Sequence, residues 1–151
     1  MIYTAAYWKD AHNLDEAQEA KLELCCHKLG LKPGMTLLDV GCGWGGLAKY
    51  AVEKYQVKVV GISVSKEQVA LAKEVYHGLP IDIRFQDYRD VNEKFDRIVS
   101  VEMFEHVGGK YHGIFMQKMS EYLNDDGLFL LQTIGVNRTG LQNARARNCK
   151  I

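Results

Sequence analysis

The chain has 151 residues, with 19 Lys and Arg against 19 Asp and Glu, 47% apolar residues, 14 Gly and 2 Pro. That is the composition of one soluble domain, long enough to bury about 68–70% of its unfolded surface. Zero net charge argues against a dedicated nucleic-acid binder, no apolar run reaches a membrane span, and Met1-Ile2-Tyr3 does not open a signal peptide, so a cytoplasmic setting is expected.

Asn13 can cap a first helix from Leu14, with Glu16 as its capping-box partner, and Gly30 followed by Pro33-Gly34 stops it. Thr36–Val40 is a short buried strand with glycines directly behind it. A helix over 47–55 leads to a β-branched strand over 57–62. Ser65 and Gln68 form a second capping box, opening a helix to about His77. Strands are predicted over 81–85, 95–101 and 128–134, with a helix over 111–123 before the last. Strands alternating with helices of this length mean βαβ units. The expected fold is α/β, a mainly parallel Rossmann-like sheet with helices on both faces. Its ligand belongs beyond the carboxyl ends of the strands.

From Gly135 onward the chain holds Arg138, Arg145, Arg147 and Lys150 and no acid. Residues 1–135 are therefore read as the folded core and 136–151 as a basic, poorly ordered tail. Cys25, Cys26, Cys42 and Cys149 make no C-x-x-C, and the five histidines make no H-E-x-x-H, so no metal is expected.

The chemistry starts at Asp39-Val40-Gly41-Cys42-Gly43-Trp44-Gly45-Gly46. Gly41, Gly43 and Gly46 satisfy G-x-G-x-x-G, but Trp44 stands where a pyrophosphate needs small residues. The ribose-binding acid about 20 residues on is also replaced by Gly61-Ile62-Ser63. S-adenosyl-L-methionine is the better ligand: Asp39 sets a carboxylate at its cationic end, and glycines let the backbone approach where a Cβ would collide.

Further segments occur in order: Tyr3-Thr4-Ala5-Ala6-Tyr7-Trp8, Val59-Val60-Gly61-Ile62-Ser63-Val64-Ser65, Gln86-Asp87-Tyr88-Arg89-Asp90, Phe104-Glu105-His106-Val107-Gly108 and Leu130-Leu131-Gln132-Thr133-Ile134-Gly135. With the glycine loop, this pattern resembles the cyclopropane-fatty-acyl-phospholipid synthases and the related mycolic-acid cyclopropane synthases, from about Met1 to Gly135. The resemblance implies transfer of the S-adenosylmethionine methyl to a double bond of a phospholipid acyl chain, followed by loss of a proton to a bound bicarbonate and ring closure. Peripheral membrane contact follows from such a substrate. It also implies cofactor contacts at Tyr3, Thr4, Gly41, Gly43, Ser63, Val64, Gln68, Asp87 and Tyr88, with Asp87 accepting from the adenine amino group. Glu105 matches the bicarbonate-binding glutamate, and Ile134 a residue that contributes its backbone carbonyl. Gln68 reads equally as the capping partner of Ser65.

Three positions depart from the pattern. Ala5 replaces a cysteine, Gln132 replaces a histidine 27 positions after the glutamate, and Glu102 replaces a glycine. Gln132 can donate a hydrogen bond but carries no charge, and Glu102 adds a negative charge near the bicarbonate place. These departures weaken the base site more than the cofactor site. Val101-Glu102-Met103-Phe104-Glu105-His106 is also similar to plant alkaloid N-methyltransferases, whose Glu-His pair lies at the amine, so Glu102 and His106 point to amine methylation as an alternative. A catalytically inactive cofactor-binding fragment is the third reading. The resemblance implies more chain on both sides, so the sequence reads as a truncated core without its last strands. Its fifth strand is then an open, continuously apolar edge, buried on both faces and poised for self-association.

Overall fold

A computed structural model describes residues 2–135. The elements run α1 (Leu14–Leu29), β1 (Thr36–Val40), α2 (Gly46–Tyr55), β2 (Lys58–Ser63), α3 (Lys66–Val75), β3 (Ile81–Phe85), β4 (Phe95–Val101), α4 (His112–Glu121) and β5 (Leu123–Gln132). The five strands form one sheet in the order β3-β2-β1-β4-β5, and every neighbouring pair is parallel. The chain winds outward from β1 through β2 to β3, then crosses back to β4, so the order reverses between β1 and β4. That reversal opens a crevice at the carboxyl ends of those strands. The basic tail lies outside the described residues.

Period-2 alternation along the central strands sorts the helices. Leu37, Val59 and Val99 point to the face covered by α1 and α2, where Leu22, Cys26, Leu29, Ala48 and Ala51 complete a buried cluster. Ile83 packs with Val69, Ala72 and Tyr76, so α3 lies beside α2. Leu38, Val40, Ile62 and Ile98 point the other way, onto Phe115 and Met119 of α4. Helices thus cover both faces, as the predicted alternation requires. None of the described helices is long and apolar enough to cross a membrane.

The start of α1 is capped as predicted, with one shift. Asn13 accepts the Glu16 N–H at 3.0 Å, but Glu16 reaches back to the His12 N–H at 2.8 Å rather than to that of Asn13. Gly30 closes the helix in the left-handed conformation, φ 58°.

The fifth strand departs from expectation. It begins at Leu123, opposite Phe95, and resumes at Leu128, opposite Arg97, so Asn124–Gly127 loop out against the single residue Asp96. Asp96 holds this corner together by accepting from the Thr36 N–H at 2.8 Å, Thr36 Oγ1 at 2.9 Å and Asn124 Nδ2 at 2.9 Å. These bonds keep its carboxyl below the usual carboxylate range. The strand ends at Gln132, leaving Thr133 and Ile134 outside it. It is not buried on both faces: Leu128 is half exposed and residues 129–132 are only partly covered. Its apolar run resembles that of a central strand, but it pairs with β4 alone among the described residues.

Candidate active site

A cavity of about 620 Å³ opens at the carboxyl ends of β1, β2 and β4. All ten residues predicted to contact a cofactor line it: Tyr3, Thr4, Asp39, Gly41, Gly43, Ser63, Val64, Gln68, Asp87 and Tyr88. They come from four separate segments, and the parallel topology gathers them because each follows, or is strapped across, the same strand ends.

Asp39 forms the floor. It is 3% exposed, and its Oδ2 has no hydrogen-bond partner among the described residues. Burial without compensation raises its carboxyl from 3.8 to about 7. A buried carboxyl facing a cavity ionises readily only when a cationic or donor group reaches it, so the site suits a ligand carrying one. Behind it, Gly41 sits at φ 82°, and a Cβ there would lie 2.6 Å from Met103 Cγ. Gly43 sits at φ 54°, and a Cβ would come within 3.2 Å of the Tyr3 ring. Both the conformation and the space therefore demand glycine.

On the β2 side the two readings of Gln68 separate. Ser65 caps α3 by accepting the Gln68 N–H at 3.3 Å, but the Gln68 side chain does not return the bond. The Ser65 N–H goes to Ser63 Oγ at 3.2 Å instead. Ser63 Oγ in turn donates to Gln68 Oε1 at 2.9 Å, and Gln68 Nε2 donates to the Tyr3 hydroxyl at 3.3 Å. The amide is thus turned into the cavity wall. Asp87 lies after β3, gripped by Arg89 through Nε at 2.8 Å and Nη2 at 2.7 Å. The hydrogen bonds from Arg89 hold its carboxyl below the usual range.

The N-terminal segment crosses the mouth as a strap. Gln18 Nε2 donates to the Thr4 carbonyl at 2.7 Å, the Tyr7 N–H donates to the Ala17 carbonyl at 3.0 Å, and Lys21 Nζ donates to Thr4 Oγ1. Lys21 is 4% exposed, and burial lowers its ammonium pKa against the opposing pull of Cys25 and Glu102. The strap thereby places Tyr3 and Thr4 over the ligand space.

The predicted catalytic residues are not brought to one place. His106 lines the cavity. Glu105 does not; its Oε2 accepts from Thr133 Oγ1 at 2.8 Å beside the mouth. Gln132 lines a smaller cavity of about 420 Å³ between β5, α1 and the strap, and Ile134 is 64% exposed and lines neither. Glu102 lines the main cavity instead, its Oε1 accepting from the Ala5 N–H at 2.8 Å and from Gln132 Nε2 at 3.2 Å.

Lys21, Met103 and Tyr111 also line the cavity and were not foreseen. Lys21 had a signal: it interrupts the i, i+4 series Ala17, Lys21, Cys25 on the buried face of α1, where a lysine needs a partner. Met103 and Tyr111 carried none, because loop residues have no period to read.

The family model described as mycolic acid cyclopropane synthetase matches residues 1–150. The cyclopropane-fatty-acyl-phospholipid synthase of Escherichia coli strain K12 is 55% identical over 141 residues, covering 93% of this chain and 37% of that protein. The S-adenosylmethionine-dependent methyltransferase UmaA of Mycobacterium tuberculosis is 42% identical over 139 residues, 89% of this chain and 49% of UmaA. Among solved structures, mycolic acid cyclopropane synthase CmaA1 complexed with SAH and CTAB superposes with a TM-score of 0.82 at 41% identity, covering 86% of this chain and 47% of that one. Coclaurine N-methyltransferase bound to N-methylheliamine and SAH superposes with a TM-score of 0.78 at 31% identity, covering 85% and 39%. The chain spans between about a third and a half of the length of these relatives, and it belongs to the mycolic acid cyclopropane synthetase family.

Proposed function

We propose that this chain is the S-adenosylmethionine-binding core of a methyltransferase that alkylates a double bond in the acyl chain of a phospholipid. The observation that carries the reading is Asp39, a buried carboxyl whose Oδ2 has no partner among the described residues, at the floor of a glycine-walled cavity. When bound, S-adenosylmethionine supplies an electrophilic methyl on a sulfonium and carries an ammonium that suits this carboxylate. Asp39 would hold the ammonium, while the Gly41 and Gly43 backbone admits the amino-acid end of the ligand. Gln68 and Ser63 would hold the ribose, and Asp87 would accept from an adenine amino group. The strap carrying Tyr3 and Thr4 orients the ligand and excludes water. Such positioning carries much of the rate when the nucleophile is a neutral alkene.

Support for the lipid acceptor comes from the relatives' names, which specify fatty-acyl-phospholipid and mycolic acid. A bilayer acceptor implies work at the cytoplasmic membrane face through peripheral contact. Isothermal titration with S-adenosylmethionine tests the cofactor half, and mass analysis of phospholipids incubated with chain and cofactor tests the acceptor half. A gain of one methylene per modified acyl chain is the expected product. Retention of cofactor binding without any product would leave a cofactor-binding core as the correct description.

Amine methylation is the second reading. The observation favouring it is that Glu102 and His106 both line the cavity whereas Glu105 does not. Methyl transfer to a small amine, with phospholipid left unchanged, would replace the first reading by this one.

A further inference from the structure

Ala5, Glu102 and Gln132 are far apart in the chain but form one hydrogen-bonded unit. The Ala5 N–H and the Gln132 amide both donate to Glu102 Oε1, and the Glu102 N–H donates to the Gln132 carbonyl at 2.8 Å. Glu102 adopts φ 51°, a left-handed conformation that costs an L side chain energy and persists where surrounding contacts hold it. The residue does not point away from the site. Its strained backbone turns the carboxylate toward the strap, into the wall of the cavity that Asp39 floors. Lys21, bonded to Thr4 on the same strap, is the cation whose charge Glu102 supports.

A bicarbonate ion does not fit this arrangement. A carboxylate and a bicarbonate present the same group to a donor, two oxygens on one carbon sharing one negative charge. Here the donors on the strap and on β5 are already engaged by a carboxylate that belongs to the chain. A second anion beside it would meet like charge and find those donors spent. Both donors fall on Oε1, so neither engages the lone pairs of Oε2.

We infer that the Glu102 carboxylate is a built-in substitute for a free anion and serves as the proton acceptor of the methyl-transfer site. The inference rests on the reading proposed above. In that reaction the alkene π pair forms the bond to the methyl carbon as the carbon–sulfur bond breaks, its electron pair passing to sulfur. The pair of one methyl C–H bond then closes the ring, and its proton bonds to a Glu102 oxygen lone pair. The glutamic acid so formed returns the proton to solvent. No external co-reactant is needed.

The test titrates ¹³C-labelled bicarbonate into the full chain, with S-adenosylhomocysteine present, followed by carbon NMR. Wild type is expected to show no saturable binding. Glu102→Gly relieves the left-handed strain and frees both donors, so it is expected to gain a saturable site. Glu102→Asn, which tolerates the same backbone with a shorter side chain, is a second opened variant should the first fold poorly. Saturable binding in wild type that these variants leave unchanged overturns the inference, as does absence of binding in all three folded chains. Turnover of phospholipid in carbon-dioxide-depleted buffer tests the base. Wild-type product is expected without bicarbonate, and Glu102→Gln is expected to lose about 10²–10⁴-fold in kcat with S-adenosylmethionine affinity unchanged. Wild-type turnover that requires added bicarbonate, or none in either buffer, overturns the assignment of the base. Loss of S-adenosylmethionine binding in wild type would identify failure of the parent reading instead.

Discussion

The substitution Asp39→Asn separates what the cavity contributes to binding from what it costs in stability. The folded carboxyl titrates at about 7 because burial disfavours its charged form, against 3.8 for an ordinary aspartate. The folded chain therefore holds this proton more tightly than the unfolded chain. Stability from this group is fully present below about pH 4 and declines until about pH 7, after which the loss is constant. At 1.36 kcal/mol per pH unit, the ionised form costs the empty protein about 4 kcal/mol. The amide variant removes that charge but leaves a polar group with few partners, an opposing cost of about 1–3 kcal/mol. The empty variant should therefore be more stable than wild type at pH 8 by about 1–3 kcal/mol and should lose the decline between pH 4 and 7. Binding should move the other way. A buried charge-assisted hydrogen bond contributes about 1.5–3 kcal/mol, so affinity for S-adenosylmethionine should fall by about 10–150-fold. Wild-type affinity should also rise with pH toward 7, with proton release seen as buffer-dependent binding enthalpy. Urea melts across pH 4–8 and calorimetric titration supply both halves. Equal affinity in the two chains, or an identical pH dependence of stability, would refute the reasoning.

Gly41→Ala should weaken S-adenosylmethionine binding and destabilise the chain by about 2–4 kcal/mol, since the new Cβ meets Met103 and the left-handed backbone penalises it; denaturant midpoints check this. Phe115→Ala should cost about 3–5 kcal/mol, because this fully buried ring packs against Tyr88, Phe104 and Phe129 on the α4 face. Its cofactor affinity, measured on the folded fraction, should fall as well, because Tyr88 lies in the cavity wall. The chain should self-associate at tens of micromolar through β5, whose outer side has no strand partner among the described residues; a monomer by light scattering, with rapid amide exchange along residues 128–132, would count against it.

Local physics carried much of this fold into the sequence. β1, β3 and β4 occupy the predicted residues, and the caps at Asn13 and Ser65 and the stop at Gly30 are where side-chain chemistry puts them. Such features are decided within four or five residues of chain. The interval from Leu123 to Leu128 was not legible, because its geometry comes from Asp96 and Thr36 on other strands, which hold Asn124 while the chain bulges. The burial of β5 was misjudged for a related reason. An apolar run records a preference for cover, whereas the cover itself depends on which elements stand beside the strand.

The same distinction divides the site. The residues that line the main cavity were readable where the requirement is local: the tip of β1 offers Asp39, a left-handed turn requires Gly41, the tip of β2 offers Ser63 and the first turn of α3 offers Gln68. The acid half depends on a meeting of three segments separated by 97 and 30 positions. Against the pattern that the family resemblance implies, Ala5, Glu102 and Gln132 taken one at a time are three losses: a missing thiol, an unwanted charge and a missing imidazole. In space, alanine supplies only its backbone N–H, which any residue but proline has, and that N–H meets the new carboxylate. Glutamine supplies a neutral donor, and its amide meets Glu102 Oε1 at 3.2 Å. Glutamate offsets its left-handed backbone by filling the place where these donors converge. Each substitution is compatible with the other two, and the strained φ of Glu102 is the physical mark of that dependence.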